Sequence, residues 1–409
     1  IYPTISSEEY EYIFNHSEAR LVFLSGRPIM NKIKPLLNSV STLEDIYSFD
    51  DMEDAINYKR ILELGSQYEA KYQQELAKRK QEIDPYDLAT IIYTSGTTGH
   101  PKGVMLSHYN LITNAVATTT AHHLNDQHRA LSFLPLCHVY ERMMNYHFQY
   151  KGLSIYYAES LGTIAQNIKE IKPHIFNTVP RLLERVYDGI VEKGKNLPAT
   201  QKAIFFWALN LGLRYDTDNQ NPLYHAQIKL ARKLVFSKWH EGLGGELIAI
   251  VSGGAALQSR IERVFWAANI RVAQGYGLTE TSPVIAVNHI NKPHVKLGTV
   301  GKILDGVEAK INDDGEILCK GPNVMMGYYK NMELTDDVID EDGWFHTGDI
   351  GIIDKDGFLK ITDRKKEMFK TSAGKYIAPQ AIENKLKESP YIEQVMVVGE
   401  NEKFASALI

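Results

Sequence analysis

Cysteine is scarce in this chain: Cys137 and Cys319 are the only two among 409 residues. Two isolated thiols cannot build a disulfide framework, and neither stands in a CxxC spacing, so the chain reads as intracellular, with a cytoplasmic location expected. Long apolar runs are missing as well. The most apolar stretch, residues 203–213 (AIFFWALNLGL), falls well short of the ~20 residues that a membrane-spanning helix requires. Neither sign of charge dominates, since 45 Lys and Arg face 50 Asp and Glu for a net charge of −5. Without a global basic field, a nucleic-acid backbone is a disfavoured partner. The n-region and h-region of a signal peptide are lacking, and a start at Ile1 reads as the edge of a fragment.

What is present is the composition of a folded chain, 44% hydrophobic and 23% charged, which excludes disordered, collagen-like and coiled-coil classes. The length suggests two or three domains. Ser6-x-x-Glu9 forms a capping-box pattern that opens a helix ahead of a strand at Leu21–Leu24. Residues 67–81, rich in charge and glutamine, read as a solvated helix or linker. Beyond them, short β-rich runs at residues 88–93, 131–136, 153–157, 174–179, 247–251 and 271–274 alternate with helical stretches at 107–121 and 181–193. That alternation predicts an α/β domain of mostly parallel sheets flanked by helices, with ligand loops at the carboxyl ends of strands.

After about Gly298 the pattern changes. Asp-Gly pairs recur at residues 305–306, 314–315, 342–343 and 356–357 between short alternating runs, and all four read as hairpin turns of a β-rich subdomain over 299–362. The expected boundaries are a large domain over 1–362 and a small α+β carboxyl-terminal domain beginning at Asp363, of which 363–409 is only the start.

The most informative segment runs from Tyr93 to Val104: Tyr-Thr-Ser-Gly-Thr-Thr-Gly-His-Pro-Lys-Gly-Val. Glycines permit a tight turn in which successive N–H groups converge, hydroxyls add donors, and Lys102 adds a positive charge. Such a loop, expected here between a strand and a helix, cradles phosphates. It is not the Walker pattern, because Gly99 is followed by His-Pro-Lys-Gly where that motif needs Lys-Ser/Thr. The loop resembles the phosphate-binding signature of the adenylate-forming superfamily of acyl-CoA synthetases, luciferases and adenylation domains. Further segments match that superfamily in order. Residues 274–281 (QGYGLTET) resemble its adenine and metal motif, Tyr328 lies in a matching Gly-Tyr-Tyr, residues 344–349 (WFHTGD) resemble its ribose motif, and residues 363–367 (DRKKE) its hinge.

The resemblance implies a role for each position. Thr94, Ser95, Gly96, Thr97, Thr98, Gly99 and Lys102 would hold phosphate, while Gly275, Tyr276 and Gly277 with Gly254 and Ala255 would surround adenine. Asp349 and Arg364 would hold the ribose. Thr279 and Glu280 would act near the phosphates, with Glu280 and Thr94 as ligands of Mg²⁺, a hard cation suited to oxygen. Lys366 matches the hinge about which the small domain swings, and Lys370 would point back to the nucleotide.

Residues 134–142 (LPLCHVYER) resemble the border of the acyl site, with His138, Gly253 and Gly254 beside the acid; their Tyr-Glu-Arg ending is similar to that of long-chain fatty acid–CoA ligases. A tryptophan gate found in some bacterial relatives has Arg142 in its place here, and His138 also fits as a satisfied core histidine. The implied reaction joins a fatty acid to ATP as acyl-adenylate, releases pyrophosphate, and passes the acyl group to CoA. A medium-chain or aryl acid substrate, or a protein that holds acyl-adenylate without forming thioester, stays open. Peripheral membrane contact is compatible with a fatty-acid substrate, and a dimer is compatible with the sequence. The resemblance also implies a chain cut at both ends, lacking the lysine that assists adenylation near the end of the small domain.

Overall fold

A computed structural model describes the chain except at residues 95–99, 219–220, 373–375, 388, 390 and 393. The chain forms two compact units, one made of Ile1–Tyr109 with Met325–Met332 and the other of Asn110–Val324 with Glu333–Ile409.

The first unit begins with the helix Ser7–Ser17, whose capping box at Ser6 and Glu9 forms as expected. Its buried face, Tyr10, Ile13 and Phe14, packs with Met30, Ile33 and Leu36 against a small parallel sheet of Leu21–Leu24, Asp45–Ser48 and Ile56–Asn57. Residues 67–81 lie within the helix Lys59–Glu82, which has no buried residue, so the solvated-helix reading holds. The second sheet of this unit is antiparallel: Leu88–Thr94, Lys102–Ser107 and Gly327–Tyr328, with the middle strand pairing both others. This arrangement corrects one expectation. The segment after residues 95–99 enters a strand rather than a helix, because Val104 and Leu106 alternate into a fully buried face. Thr94 and Lys102 are therefore ladder partners at the end of a hairpin, and the helix begins only at His108.

The second unit is built on a seven-stranded sheet. Its spatial order is Lys302–Ile303, Val284–Val287, Val272–Gly277, Ala249–Ser252, Ile175–Thr178, Arg129–Ser132 and Ser154–Tyr157. The last five run parallel, and the first two are antiparallel additions at one edge. The central strands Ile175–Thr178 and Ala249–Ser252 are buried at every position, as strands covered on both faces must be. One face carries a core of Leu183, Phe205, Phe236, Trp239 and Phe265, and the other a core of Met143, Met144 and Phe148. The helix Pro180–Lys195 starts with proline at its first position, where the missing N–H costs no bond.

The β-rich part is a four-stranded antiparallel sheet of Glu308–Ile311, Glu316–Lys320, Phe345–Ile353 and Leu359–Arg364. Hairpins turn at Asp314-Gly315 and Asp356-Gly357. Asp342-Gly343 closes a short hairpin-like turn in which Ile339 and Phe345 pair antiparallel, whereas Asp305-Gly306 makes no hairpin. Asp305-Gly306 passes the chain from the seven-stranded sheet to the four-stranded one, so the strands beside that turn find partners elsewhere.

Asn114, 2% exposed, shows how the edge of the large sheet is fastened. Its Nδ2 donates to the carbonyl of Val284 at 2.7 Å and its Oδ1 accepts the Val284 N–H at 3.0 Å. Asn114→Leu removes the acceptor of the buried Val284 N–H and leaves its carbonyl only a long bond of 3.4 Å from Asn323, which costs about 2 kcal/mol. The denaturant midpoint should fall by that equivalent, and a change below ~0.5 kcal/mol would show that the pair is not a fastening point.

Candidate active site

In the second unit, the candidate residues of the large sheet cluster at the carboxyl ends of its parallel strands, where α/β sheets bind ligands. Ser252 leads into Gly253, Gly254 and Ala255; Gly277 leads into Thr279 and Glu280; Ser132 leads toward His138. Two glycines here answer different needs. A Cβ on Gly277 would stand 1.7 Å from the Pro283 carbonyl oxygen, so no other residue fits. Gly254 has φ +82° with open space around its absent side chain, a left-handed turn that glycine adopts freely. A Cβ on Gly275 would meet Ala286 and Val287 at 3.8 Å, an ordinary contact, so no clash requires glycine there.

Tyr276, Asp349 and Arg364 are brought into direct contact. The Tyr276 hydroxyl donates to Asp349 Oδ2 at 2.8 Å, and Arg364 Nε lies 3.3 Å from Asp349 Oδ1 across the ladder. Burial raises the Asp349 carboxyl above its usual range, although Tyr276 and Arg364 pull it down; the charges of Glu367 and Glu280 add to the rise. Glu280 is thus near enough for its charge to be felt at Asp349. Burial also lifts the Tyr276 phenol well above its ordinary value, which keeps it a donor. The ring is oriented by its own hydroxyl and packs against the apolar cluster of Ala286, Ile317 and Leu359.

Glu316, overlooked in the sequence, supports this cluster from behind. It is 3% exposed, accepts the Gly348 N–H at 2.8 Å and the Lys365 ammonium at 2.7 Å, and meets His346 Nδ1 at 3.2 Å. Burial works to raise its carboxyl, yet these three partners hold it below the usual value. The Thr347 hydroxyl donates to the Ile317 carbonyl at 2.7 Å and accepts the Asp349 N–H, so Asp349 is set by a scaffold of neighbours. Lys366 is exposed beside this network, and the Lys370 ammonium lies 4.4 Å from the ring centre of Tyr376.

His138 caps the helix Val139–Tyr150, accepting the Tyr140 N–H at its Nδ1 at 3.1 Å. Partial burial lowers its pKa and favours the neutral ring. The next residues reach the strand ends: the Tyr140 hydroxyl donates to the Val251 carbonyl at 3.0 Å, and its ring stands 3.3 Å from where a Cβ of Gly253 would be. Glu141 is buried among Ser132, Asn177 and Asn145 and ties the helix to two strands. On the opposite face of the sheet from this helix lies an apolar cavity of about 790 Å³, between the sheet and the helices Pro180–Lys195 and Ala199–Leu213, walled by Phe133, Phe176, Val186, Ile190, Phe205 and Trp239. Thr178 belongs to its lining, and the Thr178 carbonyl accepts the Gly253 N–H at 3.3 Å, so one lining residue is hydrogen-bonded to the loop that carries Gly253 and Gly254.

In the first unit, Ser95, Gly96, Thr97, Thr98 and Gly99 lie outside the described residues. Thr94 and Lys102 flank them as a ladder pair, with Lys102 Nζ 5.0 Å from the Tyr328 ring centre. His16 Nδ1 is 2.8 Å from the Tyr93 hydroxyl, and Tyr12 stacks on both His16 and His100. The first helix thus braces both described ends of the loop, a role its sequence did not signal.

The chain matches the AMP-binding enzyme family over residues 1–329. It belongs to that family. It is 34% identical over 417 residues to the long-chain-fatty-acid–CoA ligase FadD15 of Mycobacterium bovis, covering 100% of this chain and 68% of that protein. Long chain acyl-CoA synthetase 4 of Arabidopsis thaliana is 34% identical over 438 residues, spanning 100% of this chain and 64% of that protein. The fold of this AMP-binding enzyme is similar to that of O-succinylbenzoate coenzyme A synthetase from Bacillus subtilis, solved with ATP and magnesium ion. The TM-score is 0.68 at 22% identity, over 98% of this chain and 71% of that one. Among the described residues no group of three or more His, Cys, Asp or Glu could hold a metal. The lone carboxylate of Glu280 fits Mg²⁺, which takes one or two protein carboxylates and completes its shell with substrate phosphates and water.

Asp349→Asn should raise Tm at pH 7, because the buried charge is removed while an acceptor for Tyr276 remains. The native-state pKa of Asp349 is raised, so its charge burdens the fold above that pKa and the burden vanishes as the group protonates. The gain in Tm should therefore shrink as pH falls through the carboxylate range; a gain independent of pH would count against this origin.

Proposed function

We propose that this AMP-binding enzyme activates a long-chain fatty acid with ATP, forming acyl-adenylate and pyrophosphate, and then transfers the acyl group to CoA. The observation that carries the reading is the apolar cavity of about 790 Å³, whose lining residue Thr178 is hydrogen-bonded to the Gly253 loop. Its volume is in the range of pockets that enclose ligands of several hundred daltons, and its walls match an alkyl chain rather than a polar acid. The names of the relatives support the same substrate class.

A carboxylic acid with pKa near ~4–5 is already ionised at neutral pH, so the first step needs no base. The obstacle is an anion approaching a triphosphate. In the first unit, Lys102 and Thr94 are assigned to the phosphates together with residues 95–99. In the second, Tyr276 is assigned to adenine, Asp349 and Arg364 to ribose, and His138, Gly253 and Gly254 to the acyl carboxylate. Glu280 would hold Mg²⁺, which when bound neutralises charge on phosphoryl oxygens. Both oxygens of Asp349 already have a partner but keep lone pairs for ribose hydroxyls. Residues 363–409 are assigned to the start of a small domain hinged at Lys366.

Pyrophosphate exchange across a panel of acids tests the reading. Exchange and CoA-thioester are expected to be greatest with long-chain acids. Exchange without thioester favours an acyl-adenylate binding protein, a preference for aryl or medium-chain acids moves the substrate class, and no exchange with any acid removes the adenylation claim.

Peripheral membrane contact is also part of the proposal. No helix among the described residues is long and apolar enough to cross a membrane. The described cavity lining includes Lys169, Arg185, Lys193 and Lys238 but no carboxylate, and all four cations are exposed. A basic rim around an apolar opening suits an anionic bilayer in which the substrate is dissolved. The protein should sediment with phosphatidylglycerol vesicles at low salt, be released as salt screens the charges, and ignore phosphatidylcholine; equal behaviour toward both lipids would sink the idea.

A further inference from the structure

Two glycines interrupt the helix Pro180–Lys195, Gly189 and Gly194, and glycine is among the weakest helix formers. Both line the cavity, but for different reasons. A Cβ on Gly194 would fall 2.2 Å from the Phe205 ring, so Phe205 already occupies that space. Around Gly189 nothing lies within 4 Å of the missing Cβ, and its φ is not in the left-handed region. Neither close packing nor backbone conformation asks for glycine there.

Gly189 stands on the helix face that supplies Leu182, Val186, Ile190 and Lys193 to the cavity, at spacings of three and four residues. Gly189 is exposed as well as lining the cavity, so a side chain at 189 would enter the open part of that face. At a rise of 1.5 Å per residue, Gly189 lies about 10 Å along the helix from Leu182. The helix begins two residues after Thr178, the lining residue bonded to the Gly253 loop, so Gly189 lies well away from the carboxylate end.

We propose that Gly189 is a specificity-determining residue: its lack of a side chain keeps the far part of the cavity open for the distal portion of a long acyl chain. The proposal rests on the assignment of the cavity to the acyl chain. A bulky residue at 189 narrows the passage where only long acids extend, and leaves the region near the carboxylate as it is.

Gly189→Leu and Gly189→Phe should lower kcat/KM for palmitate relative to octanoate by at least about tenfold, since several buried methylenes lose their place. Gly189→Ala should raise Tm by about 1–4 °C, because a better helix former replaces glycine without a clash, whereas Gly194→Ala should lower Tm by displacing Phe205. The Tm values separate misfolding from narrowing of the cavity. A folded Gly189→Leu enzyme with an unchanged palmitate-to-octanoate ratio overturns the proposal while leaving fatty-acid activation intact. A wild-type enzyme inactive on every fatty acid overturns the cavity assignment, and this proposal with it.

Discussion

A parallel sheet covered on both faces has few places where polar chemistry can emerge, and this constraint organises the second unit. The strands Ile175–Thr178 and Ala249–Ser252 are closed to solvent along their whole length, so polar side chains gather where the strands end. The same burial creates the space for an apolar ligand. Helices packed on one face of the sheet leave a cavity whose lining includes Thr178, one hydrogen bond from the Gly253 backbone. An acid whose carboxylate must reach a polar strand end and whose tail must leave water is matched by one architectural fact.

The β-rich sheet supplies the complementary element, a carboxylate held in place despite its burial. Asp349 keeps its position because Tyr276, Arg364 and Thr347 engage it from three sides, and the neighbouring turn is held by Glu316. The two carboxylates differ instructively. Glu316 has an ammonium, an imidazole and an N–H and stays below its usual pKa, whereas Asp349, with other carboxylates nearby, is pushed above it. A group whose charge is costly in the free protein gains most when a ligand brings donors to it, which accords with a binding role.

Much of the fold was legible in local pattern. The capping box at Ser6, the hairpins at Asp314-Gly315 and Asp356-Gly357, and the alternation of strands and helices all follow from short-range chemistry. The exceptions share a cause. Asp305-Gly306 turns the chain as its residues dictate, but the adjacent strands belong to different sheets. Lys102–Ser107 was expected to lead directly into a helix after the loop; it is a strand because two neighbours offer it a ladder, one of them more than two hundred residues away. Pairing partners of that separation leave no trace in a local window.

The sequence by itself determined the chemical inventory: glycines on either side of an aromatic ring, that ring before a Thr-Glu pair, and a lysine after a hydroxyl-rich turn. These are properties of single residues and their immediate neighbours. Only the tertiary structure decided that Tyr276 grips Asp349 from 73 positions away, that Glu316 is buried beneath the turn, and that Gly189 faces open space while Gly194 faces a ring. Burial, charge state and empty volume depend on every element packed around a point, and therefore exist only once the chain has folded.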